Sequence, residues 1–222
     1  MQLKTANNYL LLTERIGKKP MLRTRFTAQA YFVFGALLDL MNQGVLTIDN
    51  SIEVKDQSKF DNLPTYLDGL KNRILEEIKK KGSLVQSLDL ITSWDIANEI
   101  YDGVGAELLN DKLVEKKSVK TNLDTHTIYL PTDEARKKVV NYLREQMLSD
   151  KVEVPAISLV VIFEQMDALK WLFTDKEELN TLTETFQQND SKTPLYKKEK
   201  ALAKTAQDII TKKKFWFDSW LS

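Results

Sequence analysis

The sequence predicts a mainly α-helical protein carrying one or two short β-hairpins, and three observations lead there. Only seven glycines and five prolines occur in 222 residues, which favours long helices over a turn-rich β sandwich. Most of the chain carries apolar residues at helical spacing, and one stretch, AYFVFGALL at 30–38, is apolar almost all round and belongs inside a bundle. The segment FGALLDLMNQGVLTIDNSIEV, residues 34–54, passes from helix through Gly44 into alternating strand residues on either side of the polar turn Asp49-Asn50-Ser51.

Taken in order, the spacing predicts helices at about 5–16, 26–43, 65–81, 83–92, 95–116, 133–148, 155–173, 175–188 and 194–218. Thr132 followed by Asp133 and Glu134 supplies a capping oxygen and early acids for one helix, and Pro155 suits the first turn of another. A second unit at 108–130, LLNDKLVEKKSVKTNLDTHTIYL, echoes the first: helix end, strand, turn, strand. Breaks fall at Gly82, Gly103, 149–154 and 187–194, none of them resembling an interdomain linker, so one domain over 1–222 is expected.

Composition narrows the function. Hydrophobic residues at 42% and aromatics at 9% are globular values. Lys plus Arg equals Asp plus Glu at 32 each, so no global field steers the molecule toward nucleic acid or membrane. Cysteine is absent, which removes disulfides, thiolate nucleophiles and cysteine metal sites and fits a reducing cytoplasm. The first twenty residues carry no signal-peptide pattern, and the longest apolar run, AISLVVIF at 156–163, is far shorter than the roughly 20 residues a spanning helix needs. The expectation is a soluble cytoplasmic protein whose contact with membranes, if it has one, is peripheral.

Catalytic patterns are missing. His126 is the only histidine, in the second hairpin, and without a second imidazole or a thiol the common nucleophile–base pairs and histidine metal clusters cannot be built. Glu164 and Asp167 lie one turn apart beside a strongly apolar run; they read either as a metal-holding or proton-sharing pair or as the polar flank of a buried helix, and the second reading is favoured. The sequence is expected to encode no enzyme and to need no cofactor or metal.

Two clusters suit anionic surfaces. In GKKPMLRTRF, 17–26, Lys18, Lys19, Arg23 and Arg25 accompany Met21 and Leu22, so cations could pair with phosphate oxygens while apolar side chains enter a headgroup region. The bland reading is a solvated loop with Met21 and Leu22 tucked into the core. In TKKKFWFDSWLS, 211–222, Lys212–Lys214 lead into Phe215, Trp216, Phe217 and Trp220, a lysine–tryptophan pairing common at membrane interfaces; the duller reading is a last helix docking aromatics on the core, with Phe217 and Leu221 extending a stripe from Ile209 and Ile210. Trp94 and Trp171 read as core. A winged-helix DNA reader built on the two helix–hairpin units is the alternative: the first unit lacks cations, and the second interleaves Lys112, Lys116, Lys117 and Lys120 with Glu107, Asp111 and Glu115, so nucleic acid is not the expected partner.

The ordered segments NYLLLTERIGKK, GALLDLMNQGVLTI, YLDGLKNRILEEIKKKGSLVQSLDLITSW, LVEKKSVKT, TIYLPTDEARKKVVNYLREQML and AISLVVIFEQMDALKWLFTDKEE resemble the Golgi phosphoprotein 3 family in its bacterial form, over roughly residues 5–190. The resemblance implies a central helical bundle ringed by amphipathic helices with a projecting β-hairpin. It also implies a non-catalytic peripheral protein: eukaryotic members bind phosphatidylinositol 4-phosphate and help retain glycosyltransferases. The family's headgroup tryptophan and three arginines fall on Thr24, Val33, Gly103 and Ala106, so none is retained. The expected partners are therefore anionic phospholipid headgroups met through Lys18, Lys19, Arg23 and Arg25, with Met21, Leu22 and Trp216 at the interface, or a protein partner at membranes; no feature specifies an oligomeric state.

Overall fold

A helix that is apolar on every side must be enclosed, and the architecture follows from enclosing α2 (Phe26–Asn42), whose residues from Ala28 to Leu40 are all buried. The computed structural model describes residues 2–14, 22–120, 125–189 and 193–220. Four helices pack against α2: α1 (Lys4–Thr13), α6 (Trp94–Asn110), α8 (Val154–Gln165) and α10 (Pro194–Trp220). Their directions follow from individual contacts. The Asp39 carboxylate accepts the Thr5 and Ala6 backbone N–H groups at 3.0 Å each, while Tyr9 stacks 6.3 Å from Phe32, so α1 runs antiparallel to α2. Trp94 meets Phe26 and Tyr101 meets Phe32, so α6 runs parallel to it. Asn42 donates to Glu199 at 2.8 Å, and Asp208 acts on Tyr31 further back along α2, so α10 runs antiparallel.

The remaining helices are amphipathic and close the shell. In α7 (Asp133–Met147) the buried residues Ala135, Val139, Leu143 and Met147 recur every four positions, and the Thr132 hydroxyl accepts the Ala135 N–H at 3.1 Å as the cap the sequence predicts. Leu70 and Ile74 anchor α4 (Asp68–Lys80), Leu88 anchors α5 (Leu84–Leu88), and Leu182 with Phe186 anchors α9 (Lys176–Asn189). A short α3 (Gln57–Asp61), absent from the sequence reading, inserts Phe60 and is capped by Asp56. The buried apolar side chains form one continuous cluster from Leu3 to Ile210. The fold is mainly helical, as predicted, with two antiparallel hairpins: β1 (Leu46–Ile48) with β2 (Ile52–Val54), and β3 (Val114–Lys120) with β4 (Thr125–Pro131). Leu46, Ile48 and Ile52 are buried, whereas the second hairpin is buried only at its base, around Val114, Ile128 and Tyr129.

The echo between the two helix–hairpin units is a shared turn. At the end of α2, Val45 N–H bonds to Leu40 C=O and Gly44 N–H to Met41 C=O; at the end of α6, Leu113 bonds to Leu108 and Lys112 to Leu109 in the same pattern. This Schellman ending needs a left-handed residue, supplied by Gly44 (φ 71°) in one case and Lys112 (φ 60°) in the other. Asp167 (φ 52°) ends α8 the same way, with Ala168 bonding to Phe163. Thus the helices expected to reach 116 and 173 stop at Asn110 and Gln165. A left-handed conformation is unfavourable for a residue with a Cβ, and Lys112 is exposed. Lys112→Gly is therefore expected to stabilise the protein by about 0.5–1 kcal/mol, read as a higher urea midpoint at unchanged m-value; a lower midpoint would show that the lysine stem contributes packing.

Candidate functional site

The antiparallel course of α10 along α2 decides which surfaces meet. Residue 199 stands beside 42 and residue 208 near 31, so the segment from about 213 onward is level with the start of α2. The Lys213 ammonium lies 3.1 Å from Asp89, in the 3₁₀ turn Asp89–Thr92 that leads into α6, and Trp94 at the start of α6 packs 6.1 Å from Phe26. One end of the bundle thus gathers the start of α2, the start of α6 and the end of α10. Of the first basic cluster, Arg25 thus lies at the same end as the last turns of α10.

Among the described side chains of α10 the last buried one is Ile210. The helix continues to Trp220, and Trp216 stands about 9 Å along the axis from Ile210 at 1.5 Å per residue. Phe215 is 76% exposed and Trp216 60% exposed, and Lys212 and Lys214 flank them on the outside. Arg25, the residue preceding α2, is exposed beside the positive end of that helix.

Other expected site residues are placed differently. Arg23 points inward: its guanidinium bonds to Asp102 at 2.7 Å and lies 4.9 Å above the Tyr101 ring, leaving the side chain 14% exposed. Leu22 is fully buried and belongs to the core, not to an interface. Lys18, Lys19 and Met21 lie outside the described residues. Trp94 and Trp171, expected in the core, are 42% and 39% exposed: Trp94 opens α6 with its ring against Phe26, and Trp171 ends a short 3₁₀ turn. Glu164 accepts the Tyr196 hydroxyl at 2.7 Å and the Lys200 ammonium at 3.4 Å, while Asp167 pairs with Lys170 on its own turn. Each carboxylate has its own partner, and among the described residues no group of three or more His, Cys, Asp or Glu could hold a metal. His126 stands opposite Val119 in the second hairpin.

Beneath the Arg23 pair lies a residue the sequence reading passed over. Glu14, just past the end of α1, is fully buried, and among the described residues its carboxylate oxygens find no partner in good hydrogen-bond geometry, with the Tyr101 hydroxyl and the Arg23 backbone the nearest donors. Burial pushes its carboxyl up to about 7, against the opposing pull of the nearby Tyr101 hydroxyl and Arg23. The Tyr101 hydroxyl is itself held by the Tyr129 N–H at 2.9 Å. No sequence signal marks Glu14, since it follows the apolar run Tyr9–Leu12 where a solvent-facing residue is ordinary.

No family model and no curated protein matches this chain.

A buried acid favours the state that binds the proton, so folding is helped below the unfolded value and that help fades as pH rises through about 7. Compared with Glu14→Gln, the wild-type protein is expected to lose about 3 kcal/mol of unfolding free energy between roughly pH 4.5 and 7 and to level off above that. Urea unfolding at several pH values measures it; parallel curves for the two proteins would mean that Glu14 is solvated.

Proposed function

We propose that the protein is a non-catalytic, peripheral phospholipid-binding or membrane-adaptor protein of the Golgi phosphoprotein 3 type. The observation that carries the reading is the end of α10, where Phe215 and Trp216 are exposed beside the exposed Lys212 and Lys214. Aromatic rings suit the headgroup boundary, and lysines nearby are attracted to anionic lipid. Arg25 and the start of α2 add positive charge to the same end.

The reading does not use the headgroup positions of the resembling family. Val33 is buried, and Tyr66 lies so tightly against Gly103 that a Cβ there would stand 2.1 Å from the ring. An arginine at 103 has no room beside Tyr66, whose hydroxyl is committed to Glu107 at 2.9 Å. Lipid contact is therefore assigned to the α10 end, as an electrostatic and interfacial attachment without a closed pocket for one headgroup. The DNA-binding alternative gains nothing from the first hairpin, whose preceding helix α2 is enclosed.

Sedimentation with vesicles tests this. The protein is expected to pellet with phosphatidylcholine vesicles doped with phosphatidylglycerol at low salt, and not with phosphatidylcholine alone. Phe215→Ser/Trp216→Ser is expected to abolish pelleting. Lys212→Gln/Lys214→Gln removes about 2 kcal/mol, or roughly thirtyfold in affinity. Lys213 is left intact because it ties α10 to Asp89. Absence of pelleting at low salt, or pelleting unchanged in the aromatic variant, refutes the proposal.

A further inference from the structure

The middle of α10 carries a second basic feature, away from the aromatic end. Lys197, Lys200 and Lys204 occupy one outward strip of the helix and line a cleft of about 570 Å³ against Gln165 at the end of α8 and Gln187 of α9, with Tyr196 and Gln207 completing the wall. The volume lies in the range of small-molecule sites. Lys200 is fixed in place, donating to the Tyr196 hydroxyl at 2.8 Å and facing Glu164 at 3.4 Å. Lys197 and Lys204 have no carboxylate partner among the described residues, so Glu164 offsets one of the three charges and two remain.

We propose that this cleft binds a phosphate-bearing anion of high charge, a di- or triphosphate group in particular. From Lys197 to Lys204 the helix rises about 10 Å. A monovalent carboxylate needs one lysine, whereas cations distributed over that span are matched only by an anion whose charge is distributed too. Lysine ammonium groups serve phosphate as point charges without demanding one geometry. The carboxamides of Gln165, Gln187 and Gln207 border the cleft with groups able to donate to bridging or terminal oxygens. The Gln165–Gln207 hydrogen bond joins α8 to α10 across one wall, so the cleft is framed by two helices held in register.

Calorimetric titration of the intact chain with sodium tripolyphosphate, at low salt and without divalent metal, is the first test. One equivalent is expected to bind per chain, with an accompanying rise in Tm. Lys197→Gln/Lys204→Gln is expected to weaken binding at least tenfold while leaving the unliganded Tm unchanged. Lys137→Gln/Lys138→Gln, an exposed basic pair on α7, is expected to bind within twofold of wild type. A second arm identifies the source of the phosphate, using vesicles of phosphatidylcholine with phosphatidic acid and the Phe215→Ser/Trp216→Ser background. Pelleting that the 197/204 pair removes identifies a lipid phosphate; tripolyphosphate binding without pelleting identifies a soluble one. Failure of tripolyphosphate to bind, or equal weakening by the 137/138 pair, overturns the proposal. Because the aromatic variant leaves the cleft intact, either result is separable from the fate of the α10 end.

Discussion

The architecture depends on how the few polar residues of an otherwise apolar central helix find partners. Apolar surfaces slide past one another with little penalty, so a helix buried on all sides has no register of its own. Three polar residues give α2 one. Asp39 receives the N–H groups of Thr5 and Ala6 in the first turn of α1, a carboxylate at a helix start. Gln29 donates to the Arg23 carbonyl at 3.1 Å and reaches Asn98 of α6. Asn42 donates to Ser158 of α8 at 3.2 Å and to Glu199 of α10. Each surrounding helix is thus tied to α2 by a contact that a one-residue slip would break, and a buried polar group left without its partner costs about 1–3 kcal/mol. Apolar burial supplies the stability; these contacts select one arrangement among many of similar burial.

How much of this was legible in the sequence follows from the range over which each feature is determined. Periodicity is local, so the amphipathic helices α4, α7 and α9 and the all-apolar α2 and α8 could be read from spacing, and Thr132 and Pro155 marked their starts. A left-handed glycine made a stop legible at Gly44, and breaks in the polar pattern did so near Lys80, Met147 and Asn189. At Lys112 and Asp167 the same turn is made by residues that rarely adopt it, and there the predicted helices ran on past the true ends. What imposes those turns is tertiary: Leu113 and Ala168, the residues that follow, are drawn back against the core.

The candidate site was less legible, for the same reason of range. In GKKPMLRTRF every cation reads alike, yet Arg23 is consumed by Tyr101 and Asp102, partners 78 and 79 positions away, while Arg25, two residues on, is exposed. Leu22 takes the bland alternative and packs inside. In the tail, the apolar stripe expected to run on from Ile209 and Ile210 continues through Phe217 and Leu221, whose side chains lie outside the described residues, while Phe215 and Trp216 beside it are exposed.

Neutral composition, finally, is a poor guide to what this surface attracts. The zero formal charge counts every carboxylate equally, but Glu14, Asp39 and Glu199 are interior groups whose carboxyls burial pushes up to about 7, 6 and 7. Burial thus disfavours their charged forms, and whatever negative charge they carry lies beneath side chains rather than facing solvent. The cations are arranged in the opposite way. Of the seven lysines on α10, Lys198 and Lys213 are paired to Asp49 and Asp89 and hold the helix to the bundle. The other five lie along its solvent side, Lys200 facing Glu164, with Asp208 an exposed acid among them. An approaching anion therefore meets a basic strip on a molecule of no net charge, and screening over about 8 Å at physiological salt confines that attraction to ligands that reach the helix itself.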